Sequence, residues 1–119
     1  MAIRLDHRIS RTKGTVETFY EDSSVLADNI GIPVADMTAT VMAGTSASIS
    51  SQTYSGTNEE LAFTMNFSSV GKVMVRVQTT FSGSEETVTT MYQFRSLDDG
   101  TGSLGDYLEW RADRLAVGM

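Results

Sequence analysis

Residues 61–81 read LAFTMNFSSVGKVMVRVQTTF, two runs in which apolar and polar side chains alternate, joined by a short Ser-Ser-Val-Gly segment. Successive side chains of a β-strand point to opposite faces, so this alternation predicts two strands that each bury one face. The predicted buried positions are Leu61, Phe63, Met65, Phe67, Val73, Val75 and Val77, and the predicted outward positions are Thr64, Asn66, Lys72, Arg76 and Gln78. Fully burying one such apolar side chain contributes about 1.5–3 kcal/mol, which favours this register over a slip by one residue. We therefore predict a β-hairpin with one apolar and one polar face.

Strand-length runs of the same kind recur along most of the chain, at intervals of about 8–12 residues. They are residues 15–20, 36–42, 46–54, 60–67, 72–81 and 87–94. Glycine and serine are frequent in the segments between them, as in turns, and the threonines and valines of the runs favour strands. This pattern is typical of an antiparallel sandwich or barrel. Residues 23–35 contain Pro33, which would interrupt a central strand, so we expect a loop or an edge strand there.

Both ends of the chain differ from this middle part. Residues 1–14 show no clear period, and we predict an extended basic N-terminal arm there. Residues 15–97 form the predicted β-domain, and residues 98–119 form a predicted linker and docking segment. Within the docking segment, Ser103 is a candidate N-cap of a short helix with an apolar stripe made by Leu104, Leu108, Ala112 and Leu115. A helix this short needs a surface to dock on, either the β-domain or another chain.

The charges of the chain are unevenly distributed. The net charge is -6, and residues 1–14 carry four basic side chains and one acidic one, which gives +3 and leaves -9 for residues 15–119. Affinity for nucleic acids comes from clustered cations, so an acidic body is a poor binder of phosphate backbones. We therefore predict no nucleic-acid partner and expect the basic arm to contact an acidic partner.

Composition also excludes several kinds of site and location. The chain has no cysteine, so it forms neither a disulfide nor a thiolate zinc site. It has no run of about 18 apolar residues, and its first residues are charged, so we expect neither a membrane span nor a secretory signal. We expect a soluble protein that is made in a cytoplasm and has no membrane partner.

Motifs for catalysis or ligand binding are weak. Gly100-Thr-Gly-Ser-Leu-Gly105 matches the dinucleotide fingerprint, but the residues that follow it, 106–119, are too few for the helix and parallel strand of such a site. His7 is the only histidine, and no carboxylate or serine partner is evident for it at fixed geometry, so we predict neither a triad nor a histidine metal site. The oxygen-rich stretch DDGTGSLGD, residues 98–106, leaves a weak calcium site as an open alternative. We predict a non-enzymatic protein without catalytic, cofactor-binding or metal-binding residues.

The C-terminal segment contains two aromatic side chains, each followed four residues later by an arginine. Tyr107 and Arg111, and likewise Trp110 and Arg114, are four residues apart and would meet on one side of a helix. Tryptophan, tyrosine and arginine are the residue types that dominate binding hot spots, so the segment is a candidate interface anchor. In the alternative interpretation Trp110 caps the core of the β-domain, and the sequence leaves both interpretations open.

The stretch from about Ile30 to Arg95 resembles the small immunoglobulin-like proteins of tailed bacteriophages described as fiber-tail adaptors. The resemblance is carried by DMTATV (36–41), ISSQTYSG (49–56) and SSVGKVMVRVQTTFSGSEETVTTMYQF (68–94). The shared features are a Ser/Thr-rich strand, a turn glycine at Gly71, a Val-x-Val-x-Thr strand, a Ser-Gly-x-x-Glu turn and a last strand that ends in an aromatic residue. In this chain Ser68-Ser69 stands where the family has a glycine pair.

The resemblance implies an immunoglobulin-like antiparallel β-sandwich of about six to eight strands, with an extended N-terminal arm and a short C-terminal helix or extended segment. It also implies a structural protein of the virion, located in the tail, that joins the portal or tail-tube side to the fibers. Such a protein would contact other phage tail proteins and neighbouring copies of itself, in a homo-oligomeric ring or array. Two alternatives remain: a capsid cement or decoration protein, and a carbohydrate-binding module that stacks sugars on Tyr54, Tyr92 or Trp110.

The predicted contacts are made by the two termini. The candidate interface residues are Ile3, Arg4, Leu5, Arg8, Arg11, Tyr107, Leu108, Trp110, Arg111 and Arg114. On this interpretation the arm meets an acidic or apolar groove, and deletion of residues 1–14 leaves a folded protein that fails to assemble.

Overall fold

The computed structural model describes the backbone of residues 2–98 and the side chains of residues 7–98. This part of the chain consists of seven strands and one short helix. The strands are β1 (Ala2–Thr12), β2 (Val16–Asp22), β3 (Val34–Ala43), β4 (Ala47–Ser55), β5 (Glu60–Phe67), β6 (Gly71–Phe81) and β7 (Thr87–Leu97), and the helix is α1 (Ser24–Ile30). Every strand-length run of the sequence is a strand, with ends within three residues of the predicted ones.

The strands form two sheets that pack face to face. The four-stranded sheet has the order β1-β7-β6-β3, and the three-stranded sheet has the order β2-β5-β4. Neighbouring strands are antiparallel except β1 and β7, which run parallel. In immunoglobulin domains strands B, E and D face strands C, F and G, and here β2, β5 and β4 face β3, β6 and β7 in the same way. The predicted immunoglobulin-like β-sandwich is confirmed.

The core lies between the two sheets and is dominated by aromatic rings. Phe19, Phe63, Phe67, Tyr92 and Phe94 contact one another with ring centroids 5.0–6.3 Å apart. Tilted and edge-to-face ring pairs contribute about 0.5–1.5 kcal/mol beyond the burial of their area. The positions of residues 61–81 that were predicted to be buried are all buried, with 1% exposure or less.

The prediction that residues 61–81 form a hairpin is wrong, because β5 and β6 belong to different sheets. Their apolar faces meet across the core instead of lying side by side. Alternation shows that each strand buries one face. It does not show whether two consecutive strands pair in one sheet or lie in two sheets that face each other, because both arrangements give the same pattern. The predicted outer face is therefore divided: Thr64 and Asn66 lie on the three-stranded sheet, and Lys72, Arg76 and Gln78 lie on the four-stranded sheet.

Glycines allow the chain to cross between the sheets at the end opposite α1. Gly44 follows β3 with a φ of 94°, and a Cβ there would overlap the carbonyl oxygen of Lys72. Gly71 begins β6 with a φ of 146°, and a Cβ there would overlap the Ser46 hydroxyl. Glycine tolerates both the positive φ and the close approach. The β3–β4 and β5–β6 connections consequently pack against each other.

The segment that was predicted to be a basic arm is part of the sandwich. Residues 2–12 are extended, as predicted, but β1 pairs with β7 from Ala2 beside Val88 to Thr12 beside Leu97. The prediction of an arm outside the β-domain is therefore wrong. Periodicity failed here because a bulge between Leu5 and His7 shifts the alternation, and because polar side chains occupy part of the inward face.

Residues 23–35 contain α1, whereas a loop or an edge strand was expected. The helix buries Ala27 and ends at Gly31, which has a left-handed φ of 73° and donates its N–H to the Ala27 carbonyl. A glycine in this conformation, followed two residues later by proline, is a common helix stop. The sequence contains that signal as Gly31 and Pro33, and Pro33 directly precedes β3.

The predicted C-terminal helix or extended segment and nearly all of the candidate calcium loop lie beyond Asp98, outside the described residues. Within residues 2–98, no helix has the length and apolar character needed to cross a membrane.

Candidate functional site

Side chains of β1 and β2 close one edge of the sandwich. Arg11 donates from Nε and Nη2 to the two carboxylate oxygens of Glu17, at 2.6 and 3.0 Å, and its guanidinium carbon lies 5.4 Å from the centre of the Phe19 ring. The hydrogen bonds with Arg11 hold the pKa of the Glu17 carboxyl below its ordinary value. Because both side chains are more than a third exposed, the pair contributes only about 0.2–1 kcal/mol. Arg11, a predicted interface residue, is thus engaged within its own chain.

His7, Tyr92 and Glu21 form a second contact at this edge. His7 and Tyr92 are neighbours on β1 and β7, and their rings stack with centroids 4.4 Å apart. The Tyr92 hydroxyl donates to Glu21 Oε1 at 2.5 Å, and His7 Nε2 lies 3.6 Å from the same oxygen. The prediction that His7 has no carboxylate partner is wrong, because the pairing of β1 in the sheet brings the two together. We name His7, Arg11, Glu17 and Glu21 the β1–β2 seam.

The remaining predicted interface residues fall into three groups. The backbone of Ile3, Arg4 and Leu5 lies in β1 beside β7, and the structure does not describe their side chains. Arg8 is exposed on β1. The C-terminal candidates lie outside the described residues: Tyr107, Leu108, Trp110, Arg111 and Arg114.

The aromatic side chains suggested for sugar stacking are mostly engaged elsewhere. Tyr92 is 3% exposed, and Tyr54 is half-buried with its hydroxyl 3.5 Å from the Val34 carbonyl. Trp110 lies outside the described residues. Tyr20 has the exposed aromatic ring among the tyrosine, phenylalanine and tryptophan residues that the structure describes, and it was not among the residues suggested for sugar stacking.

Gln52 closes the opposite edge of the sandwich. Its amide oxygen accepts a hydrogen bond from the Ala39 N–H at 2.8 Å, and its amide nitrogen donates to the Ala39 carbonyl at 3.0 Å. Because β3 is an edge strand, these backbone groups would otherwise be open to pairing with a further strand. Gln52 therefore blocks the middle of this edge.

The outer face of the three-stranded sheet has no charged side chain over its middle. We name it the hydroxyl face, and it consists of Val16, Thr18, Tyr20, Ser48, Ser51, Thr53, Ala62, Thr64 and Asn66. The hydroxyls of Thr18 and Thr64 are hydrogen-bonded across the strands at 2.7 Å. Val16 and Tyr20 are 62% and 63% exposed. Absence of charge, together with an exposed tyrosine, is typical of the central part of a protein–protein interface.

The end of the sandwich that carries α1 contains an apolar cleft. The cleft has a volume of about 270 Å³, lies between α1 and the β6–β7 turn, and is lined by Leu26, Ile30, Ile32, Phe81, Ser84, Glu86, Thr87 and Val88. Ile30 in the wall of the cleft exposes 46% of its surface, and Val25 next to the cleft exposes 68%. Loops at one end of an immunoglobulin-like sandwich are a common place for binding surfaces. The cleft is therefore a candidate docking site for an apolar side chain.

Acidic side chains surround this end, and no described lysine or arginine side chain lies there. We name it the acidic end, and its carboxylates are Asp22, Asp28, Asp36, Glu59, Glu60, Glu85 and Glu86. Burial, and then the charges of Glu59 and Asp36, raise the pKa of the Tyr54 hydroxyl. At the opposite end, which we name the basic end, lie Lys13, Lys72 and Arg95, together with the buried carboxyl group of Asp98.

Glu59 holds the acidic end in place. Its φ of 52° lies in the left-handed region, which costs a residue with a side chain about 1–2 kcal/mol. Its carbonyl accepts a hydrogen bond from the Ser23 N–H at 2.9 Å, and its carboxylate accepts one from the Val34 N–H at 2.7 Å. Glu59 thus ties the β4–β5 turn to the residues before and after α1.

Sequence reasoning did not find the acidic end, because its carboxylates come from segments that only the fold brings together. Glu59-Glu60 and Glu85-Glu86 each lie at the start of a strand or just before one, and these strands begin at the same end of the molecule. The location of both acidic pairs at strand starts was the sequence signal from which the acidic end could have been predicted. No three histidine, aspartate or glutamate side chains within the described part of the chain are close enough to hold a metal ion.

No protein-family model and no curated protein matches the chain. Among solved structures, the chain is similar to the crystal structure of the cysteine protease inhibitor EhICP2 from Entamoeba histolytica. The two share 11% sequence identity with a TM-score of 0.43, over 79% of this chain and 94% of that chain. The similarity is limited to the fold.

Proposed function

We propose that this chain is a non-enzymatic structural protein of a tailed bacteriophage particle, an adaptor that joins the portal or tail-tube side of the tail to the fibers. The proposal combines the resemblance of residues 30–95 to fiber-tail adaptors with a sandwich whose surfaces suit contacts with other proteins. Other tail proteins and neighbouring copies of the chain are its partners.

The observation that carries the proposal is the hydroxyl face. The chain has a net charge of -6, and such a charge opposes close approach of identical or acidic proteins. A face without charge over its middle removes that repulsion locally. Tyr20 and Val16 supply exposed apolar area there, and short serine and threonine side chains lose little conformational freedom when a partner covers them.

The structure changes the part of the proposal that concerns the N-terminus. Docking by a free arm is not available to residues 2–12, which pair with β7, and Arg11 is held by Glu17. Arg8 remains an exposed candidate on β1. The C-terminal anchor around Leu108 and Trp110 stays a proposal.

The proposal is tested on purified particles of the phage that encodes the chain. An antibody against the chain, seen by electron microscopy, should label the tail where the fibers attach. Labelling of the shell would select the cement alternative, and absence of the chain from purified particles would overturn the proposal.

A glycan array with the purified chain tests the carbohydrate-binding alternative, and we expect no binding.

The role of the hydroxyl face is tested with Tyr20→Lys, which places a charge in its middle. Particles assembled with this variant should incorporate several times less of the chain than particles assembled with the wild type. Thr38→Lys is the matched control, because it adds the same charge at an exposed site on β3, in the other sheet. Equal incorporation of both variants would show that the hydroxyl face is not a contact surface.

A further inference from the structure

The acidic and basic ends lie at opposite ends of the same sandwich, and we propose that they bind each other between copies of the chain. In this head-to-tail contact, the apolar cleft beside α1 receives the exposed Met42 side chain of the next copy, and Lys13 and Lys72 of that copy meet the acidic rim. The inference rests on the multi-copy part of the proposed function and names the surfaces that would join the copies.

The two ends do not neutralise each other within one copy. Strand β6 runs from one end to the other with 11 residues, which corresponds to a length of about 35 Å. Charges separated by more than a Debye length, about 8 Å at physiological ionic strength, are largely screened. The charges of one end therefore hardly affect those of the other end, and each end attracts a partner of opposite charge.

The basic end also carries an exposed apolar side chain, which matches the apolar lining of the cleft. Met42 is 49% exposed at a bulge between Val41 and Ala43, where β3 departs from regular pairing with β6. A methionine side chain is unbranched and adapts to irregular apolar surfaces. On the receiving side, the cleft is walled by Leu26, Ile32 and Val88. Apolar contact and charge attraction thus act at the same two surfaces.

Charge complementarity favours a second copy in this orientation over a contact between like ends. Two acidic ends in contact would place Glu85 and Glu86 of each copy close to those of the other, and like charges across an interface are strongly unfavourable. A contact between different surfaces forms a ring if its rotation closes and a filament if it does not. The hydroxyl face stays free for another partner.

The test uses charge reversal at each end of the purified full-length chain. Analytical ultracentrifugation at several concentrations, in low and high salt, measures the apparent dissociation constant. The wild type should associate reversibly in low salt and less in high salt. Glu86→Lys at the acidic end and Lys72→Glu at the basic end should each weaken association about tenfold or more. An equimolar mixture of the two variants should restore it, because each supplies the unaltered end that the other lacks.

Control variants separate this contact from general effects of charge and folding. Thr38→Lys/Thr40→Lys changes the net charge by as much as Glu86→Lys does, in the middle of exposed β3, and should leave association unchanged. Val25→Ser and Met42→Ser should weaken association at every salt concentration, and both positions are exposed enough for the fold to survive. Thermal melting followed by circular dichroism confirms that each variant is folded.

Three results would overturn the inference. They are a wild type that stays monomeric at every concentration and salt, an association that neither charge reversal weakens, and a mixture of the two reversals that stays as weak as either alone. The last result would show that Glu86 and Lys72 do not face each other across the contact. Particle labelling tests the location of the chain independently, so either proposal can fail without the other.

Discussion

The contact between Arg11 and Glu17 in the β1–β2 seam depends on the charge of the Glu17 carboxylate. Hydrogen bonds from Arg11 lower its pKa in the folded state, so the folded chain binds this proton less readily than the unfolded chain does. The contribution of the pair is complete above the unfolded pKa of about 4.3, and it is lost as the pH falls through the lower folded pKa.

We predict that Glu17→Gln lowers the free energy of unfolding at neutral pH by about 0.2–1 kcal/mol, because the ion pair with Arg11 is lost. Urea unfolding at a series of pH values measures the effect, and the curves of variant and wild type should converge in acid. Glu85→Gln, at an exposed position in the β6–β7 turn, should change stability less. A constant difference between Glu17→Gln and the wild type at every pH would contradict this account.

Single residues of the core were predictable where burial alone decides their position. Phe63, Met65 and Val75 alternate with residues that point outward and are fully buried, because burial of this face removes apolar area from water. The inward positions of Glu17 and Glu21 on β2 were not predictable, since each depends on a cation or hydroxyl that another strand supplies. A carboxylate on the inward face of a strand can be predicted only together with the partner that another strand supplies.

At the scale of elements, the edges of the sandwich are closed by side chains instead of by further strands. Edge strands offer unpaired backbone groups to other chains, and proteins protect such edges in several ways. Here Gln52 of β4 occupies the backbone groups of Ala39 in the middle of β3.

We predict that Gln52→Ala lowers the free energy of unfolding by about 1–2 kcal/mol and speeds aggregation, because two hydrogen bonds are lost and the β3 edge is opened. Urea unfolding and light scattering during prolonged incubation measure the two effects. Ser51→Ala is the control, since this neighbouring side chain is exposed on the outer face of β4. An aggregation rate for Gln52→Ala equal to that of Ser51→Ala would show that Gln52 does not protect the edge.

The strands were predictable as elements, but their partners were not. Alternation located β2 to β7, whereas the assignment of β5 and β6 to opposite sheets depends on crossovers at Gly44 and Gly71, which packing between distant turns selects. Strand β1 was missed because its inward face is partly polar. Helix α1 was missed although Gly31 and Pro33 signal its end, because a seven-residue helix has little periodicity of its own.

At the scale of the whole molecule, the first and last described strands hold the fold together. Strand β1 lies parallel to β7 over its length, so that the four-stranded sheet is complete only when both ends of the described chain are in place. Ile9 packs against the core from β1, and the seam residues link β1 to β2 across the open edge of the sandwich. The stability of the molecule therefore includes a contribution from residues 2–12.

We predict that deletion of residues 1–12 lowers the free energy of unfolding by at least about 2 kcal/mol, the sum expected for losing the apolar contact of Ile9 with the core and the pair of Arg11 and Glu17. It should also promote association through the uncovered edge of β7. Urea unfolding and sedimentation measure both effects. Arg8→Gln is the control, because it removes an exposed charge and leaves β1 in place. Unchanged stability of the shortened chain would mean that residues 1–12 act as an independent arm, as the sequence alone suggested.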